Sequence, residues 1–301
     1  MKDMNSTRIS NGLTLVLGGT GKTGRRIVER LASRGVPARA ASRAGDPPFD
    51  WGDQSTWDAV LDGVTAAYLS YAPDVAIPGA LECVGAFVER AVEQGVQRLV
   101  LLSGRGEEEA QRCERIVQDA GTQWTVVRAS WFNQNFSEGA FLDMVLAGAV
   151  TLPAGDVPEP FVDADDIADV AVAALIEDGH GGQIYEVTGP RVLTFKQAVV
   201  EIARTSARDV QYIQIPREDF AAGIAESGAP DDIAWLLDYL FSTVLDGRNA
   251  YVCDGVQRAL GREPTDFAAY ARRIADSGLW DLSSSHQMDD VDQPRTVAAD
   301  A

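Results

Sequence analysis

The stretch Leu15–Gly35, LVLGGTGKTGRRIVERLASRG, decides the fold. It starts inside a short apolar run, LTLVL (13–17), of strand length and composition. It then passes through a glycine-rich turn. It ends in an amphipathic segment where Ile27, Val28 and Leu31 recur at helical spacing up to a terminal Gly35. Gly18, Gly21 and Gly24 give G-x-x-G-x-x-G between that strand and that helix. Gly18 permits the tight turn, Gly21 lets the backbone approach a pyrophosphate, and Gly24 lets the helix pack on the strand. Anionic oxygens would meet the free N–H groups and the positive end of the helix. The embedded Gly21-Lys22-Thr23 is not a Walker loop, because the position that would need the first glycine is Val16.

Outward from this unit the same alternation continues. Strands are expected at ARAAS (38–42), AAYLSY (66–71), RLVLLS (98–103) and WTVVRAS (124–130), with helices at STWDAVLDG, 78–94 and 107–120 between them. Strands separated by helices imply a parallel sheet covered on both faces, an α/β doubly wound fold that binds ligands at the carboxyl ends of its strands. Beyond about residue 130, DADDIADVAVAALIED and TFKQAVVEIARTSA read as helices, QIYEVTG and VQYIQIP as strands, and 217–280 as mainly helical. The expected organisation is an N-terminal extension (1–12), a dinucleotide-binding core (13–155), remaining sheet elements with a smaller helical C-terminal substrate lobe (156–280), and a disordered tail (281–301).

Composition limits the function. The 301 residues are 46% apolar and 24% charged, enough for a sizeable core. The net charge of −19, with no basic patch, argues against nucleic acid. Cys83, Cys113 and Cys253 have no metal-ligand spacing and suit a reducing, cytoplasmic setting; no metal is expected. No signal peptide is read at the start and no apolar run approaches ~18 residues, so no membrane association is expected. The two histidines, His180 in a turn-like DGHGGQ and His286 in the polar end, sit where no general base is expected, which disfavours triad chemistry. His180 reads as a surface turn residue.

The second strand ends in Ser42 and Arg43, the latter nineteen residues after Gly24. An acid near this point would bind a ribose 2′-hydroxyl, whereas an arginine accommodates a 2′-phosphate. With Lys22 as a second cation, the pattern points to NADP(H) in preference to NAD(H).

The stretches LGGTGKTGRRIVERL, LVLLSG, WTVVRASWFNQNF, FVDADDIADVAVAALIED and YEVTGPRVLTF resemble the NmrA-like branch of the atypical short-chain dehydrogenase/reductases, a Rossmann-fold family. FDWGDQSTWDAVLDGVTAAYLSYAP (49–73) resembles more narrowly the festuclavine-dehydrogenase-like reductases, which reduce a cyclic iminium with NADPH. The resemblance implies that Gly18, Thr20, Gly21, Lys22, Thr23 and Gly24 contact the pyrophosphate and Ser42 and Arg43 the adenosine ribose. It implies Asp50 and Trp51 near the adenine. It also implies Tyr71, Ala72 and Pro73 along the nicotinamide ribose and Ser103 beside the nicotinamide, which makes Ser103 and Tyr71 the candidate catalytic residues. Trp131, Phe132, Asn133, Asn135, Phe136 and Phe161 would form the substrate pocket. The rings could instead be core, and the asparagines helix caps.

Ordinary short-chain dehydrogenases use Tyr-x-x-x-Lys as the proton donor, and this chain contains no such motif. The NmrA-like Lys-x-x-x-Glu reads Ala110 and Glu114. Loss of the dyad suits hydride transfer to a pre-activated small molecule, an iminium or a quinone. It also suits an NADP(H)-sensing regulator without catalysis. The assembly is expected to be a monomer or a homodimer.

Overall fold

The computed structural model describes residues 12–139 and 141–281. The expected N-terminal extension and polar tail, with His286, lie almost wholly outside the described residues. In chain order the elements are β1 (Leu13–Leu17), α1 (Gly24–Ser33), β2 (Ala38–Ala41), α2 (Trp57–Leu61), β3 (Val64–Leu69), α3 (Ala80–Glu93), β4 (Arg98–Gly104), α4 (Glu108–Gln118) and β5 (Gln123–Ala129). There follow α5 (Leu142–Leu146), β6 (Ala149–Leu152), β7 (Pro158–Glu159), α6 (Ala164–Ile176), β8 (Gln183–Val187), β9 (Leu193–Thr194) and α7 (Phe195–Ser206). The chain closes with β10 (Gln211–Gln214), α8 (Arg217–Glu226), α9 (Asp231–Tyr239), α10 (Gly255–Leu260) and α11 (Phe267–Asp276).

One six-stranded sheet runs β2-β1-β3-β4-β5-β8, every pairing parallel. Alternation along β1 sends Leu15 and Leu17 to one face and Val16 to the other. The first face packs on α2, α3 and α4 through Trp57, Phe87 and Val117; the second packs on α1, α6 and α10 through Ile27, Ala171 and Val256. Both faces are therefore dry, as a parallel sheet requires. The chain leaves β1 for β2 and then crosses to β3 on the other side of β1. That reversal opens a crevice beyond the carboxyl ends of β1 and β3.

β3 ends two residues earlier than the apolar run suggests. The Ser70 carbonyl is taken by the Trp51 indole N–H at 3.2 Å instead of by a neighbouring strand. A third core, built on Phe136, Phe195, Tyr270 and Trp280, holds the C-terminal lobe. Its strands form separate small pairs, β6 parallel to β10 and β7 antiparallel to β9. His180 is not a surface residue. Its ring meets the Tyr185 hydroxyl at 2.9 Å and its carbonyl accepts from Thr125 Oγ1 at 2.8 Å, so it seals the amino-terminal edge of β5 and β8, opposite the crevice. No helix among the described residues is long and apolar enough to cross a membrane.

Candidate active site

The glycine loop is built from backbone. Gly18 adopts φ +64°, which an L side chain resists, and the turn closes through Gly21 N–H donating to the Gly18 carbonyl at 2.8 Å. A Cβ on Gly24 would overlap that same carbonyl, so α1 comes against the loop only because Gly24 is bare. The amides of Thr20, Lys22 and Thr23 make no hydrogen bond to the backbone of the described residues. α1 has no side-chain cap and no acid in its first turn. A cradle lined with bare glycine, uncommitted N–H groups and a positive helix end suits a pyrophosphate. The buried Tyr68 hydroxyl donates to Thr23 Oγ1 at 2.9 Å and pins the loop to β3. Lys22 donates from Nζ to Asn135 Oδ1 at 3.1 Å, and burial pulls its pKa down against the opposing pull of Glu138.

The Gly19 amide donates to the Ala41 carbonyl at 3.1 Å, which sets Ser42 and Arg43 beside the loop. Arg43 is exposed and, among the described residues, makes no ion pair, so its charge is uncommitted. Asp50 Oδ1 accepts the Gly52 amide at 2.8 Å and stabilises its own turn. Trp51 packs behind the Ser70–Tyr71 backbone, its ring 4.8 Å from Tyr71 and 5.2 Å from Phe87.

From Gly18, Gly21, Lys22 and Thr23 a cavity of about 510 Å³ runs across the strand ends to α9. Ser70–Val75 wall it after β3, Leu102–Arg105 and Glu107 at the end of β4 and beyond it, and Ala129–Phe132 at the end of β5 and beyond it, while Ile233, Leu236 and Leu237 of α9 cover it. Tyr71, Ala72, Pro73 and Ser103 thus share one space with the glycine loop. Thr20, Gly24, Ser42, Arg43, Asp50 and Trp51 lie outside its wall.

The expected substrate wall divides. Trp131, Phe132 and Asn135 face the cavity, and Phe141 joins them. Asn133, Phe136 and Phe161 do not; they are 0%, 0% and 2% exposed. The cause is the single 3₁₀ turn Asn133–Phe136. With three residues per turn, positions three apart eclipse, so Phe132 and Asn135 point one way and Asn133 and Phe136 the other. Phe136 then packs 5.3 Å from Phe141 and 5.8 Å from Phe267. Phe161 sits edge-on to Phe195 at 5.0 Å within the lobe core.

Ser103 donates its hydroxyl to Glu114 Oε1 at 2.6 Å. Glu114 is itself held by Arg128, which also binds Glu186 at 2.7 Å. The Ser103 proton is thereby turned away from the cavity. Ala110, where the family motif has lysine, is fully buried. Among the described residues no cation acts on Tyr71, and burial raises its pKa above the ordinary phenol range. Cys113 is buried in α4, where burial pushes its thiol up to about 12 and makes it inert.

The structure adds four ionisable residues on the cavity wall that sequence reading missed: Asp74, Arg105, Glu107 and Glu159. Arg105 donates to Ser130 Oγ at 2.9 Å and lies 4.7 Å over the Tyr251 ring. Glu159 is fully buried, neither of its oxygens has a partner among the described residues, and burial lifts its pKa to about 7. Glu107 is held well above the carboxylate range by burial and by the charge of Asp74. A signal for the last pair exists in sequence, since each follows one of two adjacent parallel strands at its carboxyl end. None exists for Glu159.

No family model matches the chain. The uncharacterized oxidoreductase YesF of Bacillus subtilis is 31% identical over 277 residues, covering 88% of this chain and 96% of that protein. Agroclavine dehydrogenase of Claviceps fusiformis is 30% identical over 279 residues, covering 85% and 95%. The chain belongs to the NmrA-like atypical short-chain dehydrogenase/reductases. The NADPH-dependent quinone oxidoreductase QOR2 of Escherichia coli, solved with NADPH, shares the fold at TM-score 0.69 and 21% identity, covering 87% of this chain and 99% of that one. Within this NmrA-like frame the chain keeps the glutamate of Lys-x-x-x-Glu and commits it to Ser103 and Arg128.

Proposed function

We propose that this NmrA-like chain is an NAD(P)H-dependent reductase that passes hydride to a flat, electrophilic small molecule of the iminium or quinone class, with NADP(H) preferred. The observation that carries the reading is the single cavity joining the glycine loop to the aromatic wall of Trp131, Phe132 and Phe141. The bound dihydronicotinamide supplies the hydride. Gly18, Thr20, Gly21, Lys22, Thr23 and Gly24 hold the pyrophosphate through backbone amides and one ammonium. Ser42 and Arg43 receive the 2′-phosphate, with Asp50 and Trp51 supporting that end. Tyr71, Ala72 and Pro73 line the nicotinamide ribose, and Ser103 bounds the nicotinamide face. Trp131 and Phe132 orient a planar acceptor, while the apolar side of α9 excludes water. Catalysis then comes mainly from holding donor and acceptor in reacting geometry.

Two measurements test this. NADPH consumption is followed with a panel of quinones and cyclic iminium ions, and cofactor binding is followed by calorimetry. Turnover with at least one class is expected. Tight cofactor binding without turnover on any acceptor would leave a cofactor-responsive regulator instead. The Arg43→Asp variant tests the cofactor preference. Removing a charge-assisted contact worth about 1.5–3 kcal/mol should weaken NADPH roughly tenfold to a hundredfold. NADH should change far less; equal losses would release Arg43 from this role.

A further inference from the structure

A reductase without Tyr-x-x-x-Lys still needs a proton whenever its acceptor is neutral. The cavity wall holds a carboxyl group placed to give one. β4 ends at Gly104 on the wall, and Glu107 is the N-cap residue of α4. An N-cap side chain ordinarily bonds the first amides of its helix. Glu107 makes no such bond. It folds back so that its carboxyl lies against Gly104, where any Cβ would collide with both oxygens and the carboxyl carbon. Glu107 is 6% exposed, and its Oε2 is buried with no partner among the described residues.

Asp74, on the loop after β3, reaches the same place. It accepts the Ala76 amide at 2.8 Å, a bond that favours its anionic form. Burial raises the pKa of Asp74 as well as that of Glu107, and the two carboxyls share a hydrogen bond; two such groups cannot both ionise, so the pair retains one proton at neutral pH. Burial and the Asp74 charge put that proton on Glu107. The other ionisable groups acting here are Glu114 of α4, neutralised by Arg128, and the Tyr239 phenol of α9. No cation pairs with Glu107 among the described residues.

We infer that Glu107 is the proton donor of the reduction and that Asp74 is the positioning residue that shares its proton. The inference rests on the reductase reading above. With a quinone, hydride forms the new bond to the acceptor and the displaced π pair ends on an acceptor oxygen. The Glu107 O–H breaks as that oxygen takes the proton. Glu107 is left a carboxylate and recovers a proton from solvent. With an iminium ion, hydride alone neutralises the cation and the acid has nothing to do.

That asymmetry is the test. Initial rates of the Glu107→Gln and Asp74→Asn variants are measured with one quinone and one cyclic iminium acceptor across pH, with NADPH affinity followed by calorimetry. Removing a positioned acid costs on the order of a hundredfold. Glu107→Gln should therefore lose at least tenfold more rate on the quinone than on the iminium, with NADPH affinity kept. Asp74→Asn removes the like charge that raises Glu107, so its quinone profile should lose activity at a lower pH than the wild type. Equal losses on both acceptors, or an unmoved profile in Asp74→Asn, would overturn the assignment. Should the wild type turn over neither acceptor, the reductase reading itself fails, a result distinct from uniform loss in the variants. If Glu107→Gln does not fold, the Asp74→Asn profile still decides.

Discussion

Glu159 lies in the cavity wall with no exposed surface and no partner for either oxygen among the described residues. Arg105, whose charge acts on it, ion-pairs with Glu186 at 3.4 Å and donates to Ser130 Oγ and to the Asn249 and Tyr251 carbonyls. Desolvation therefore dominates, and the folded pKa rises from 4.5 to about 7. The sign follows from which state holds the proton. Between those values the folded chain keeps a proton the unfolded chain has lost, so stability falls as pH rises through the interval and the loss is complete above it. The total is roughly 3 kcal/mol. Glu159→Gln should accordingly match the wild type near pH 5 and exceed it by up to about that amount near pH 8, measured by urea unfolding at both. A variant equally affected at the two pH values would mean that the carboxylate is charged and paired. Nothing in DVPEPF announces this residue. Burial of one acid carries no periodicity, whereas the uncommitted Arg43 could be placed by counting from Gly24.

The strand–turn–helix unit is where sequence and structure agree most closely, for a physical reason: every constraint in it is local. β1 alternates between two cores, Gly18 needs a positive φ, and Gly35 ends α1 at φ +70°. The prediction at this scale concerns Gly24. In Gly24→Ala the new methyl meets the backbone of Gly18, which cannot rotate away as a side-chain tip would. Overpacking of this kind costs about 1–3 kcal/mol. Because the displaced atoms belong to the proposed cradle, NADPH affinity should fall at least tenfold by calorimetry alongside the lower urea midpoint. Full affinity in Gly24→Ala would show that the loop does not grip the cofactor. The turn Asn133–Phe136 went the other way. Its aromatics read as one wall, but a period of three acting over four residues leaves no repeat to detect, so only the structure separates Phe132 and Asn135 from Asn133 and Phe136.

Across the whole molecule, the sheet and the C-terminal lobe are joined at the start of α6. Asp163 is fully buried, caps Asp165 N–H at 3.0 Å, accepts from Gln134 Nε2 at 2.7 Å and meets Arg273 of α11 at 2.8 Å. Asp165 and Asp169 take Arg30 of α1, while Asp166 and Asp169 take Arg262 ahead of α11. Much of the acidic excess behind the net charge of −19 elsewhere is solvated surface, but these aspartates are internal mortar. The cap is legible in FVDADDIAD as an Asp before an apolar helix; the partners at 30, 262 and 273 are not, since no local pattern links residues that far apart. The arrangement separates charge from cap by substitution. Asp163→Asn keeps an oxygen for Gln134 and for the cap and loses only the pairing with the half-exposed Arg273, at about 1 kcal/mol. Asp163→Ala strands the buried Gln134 amide, uncaps α6 and breaks the buried end of the network, at about 3–5 kcal/mol. Urea unfolding of the two variants reads the difference. Because the cavity lies between the sheet and the lobe anchored there, Asp163→Ala should also raise KM for the acceptor more than it weakens NADPH, whose proposed cradle is the glycine loop before α1. Equal destabilisation by Asn and Ala would mean that charge alone, and not the cap, ties the two halves together.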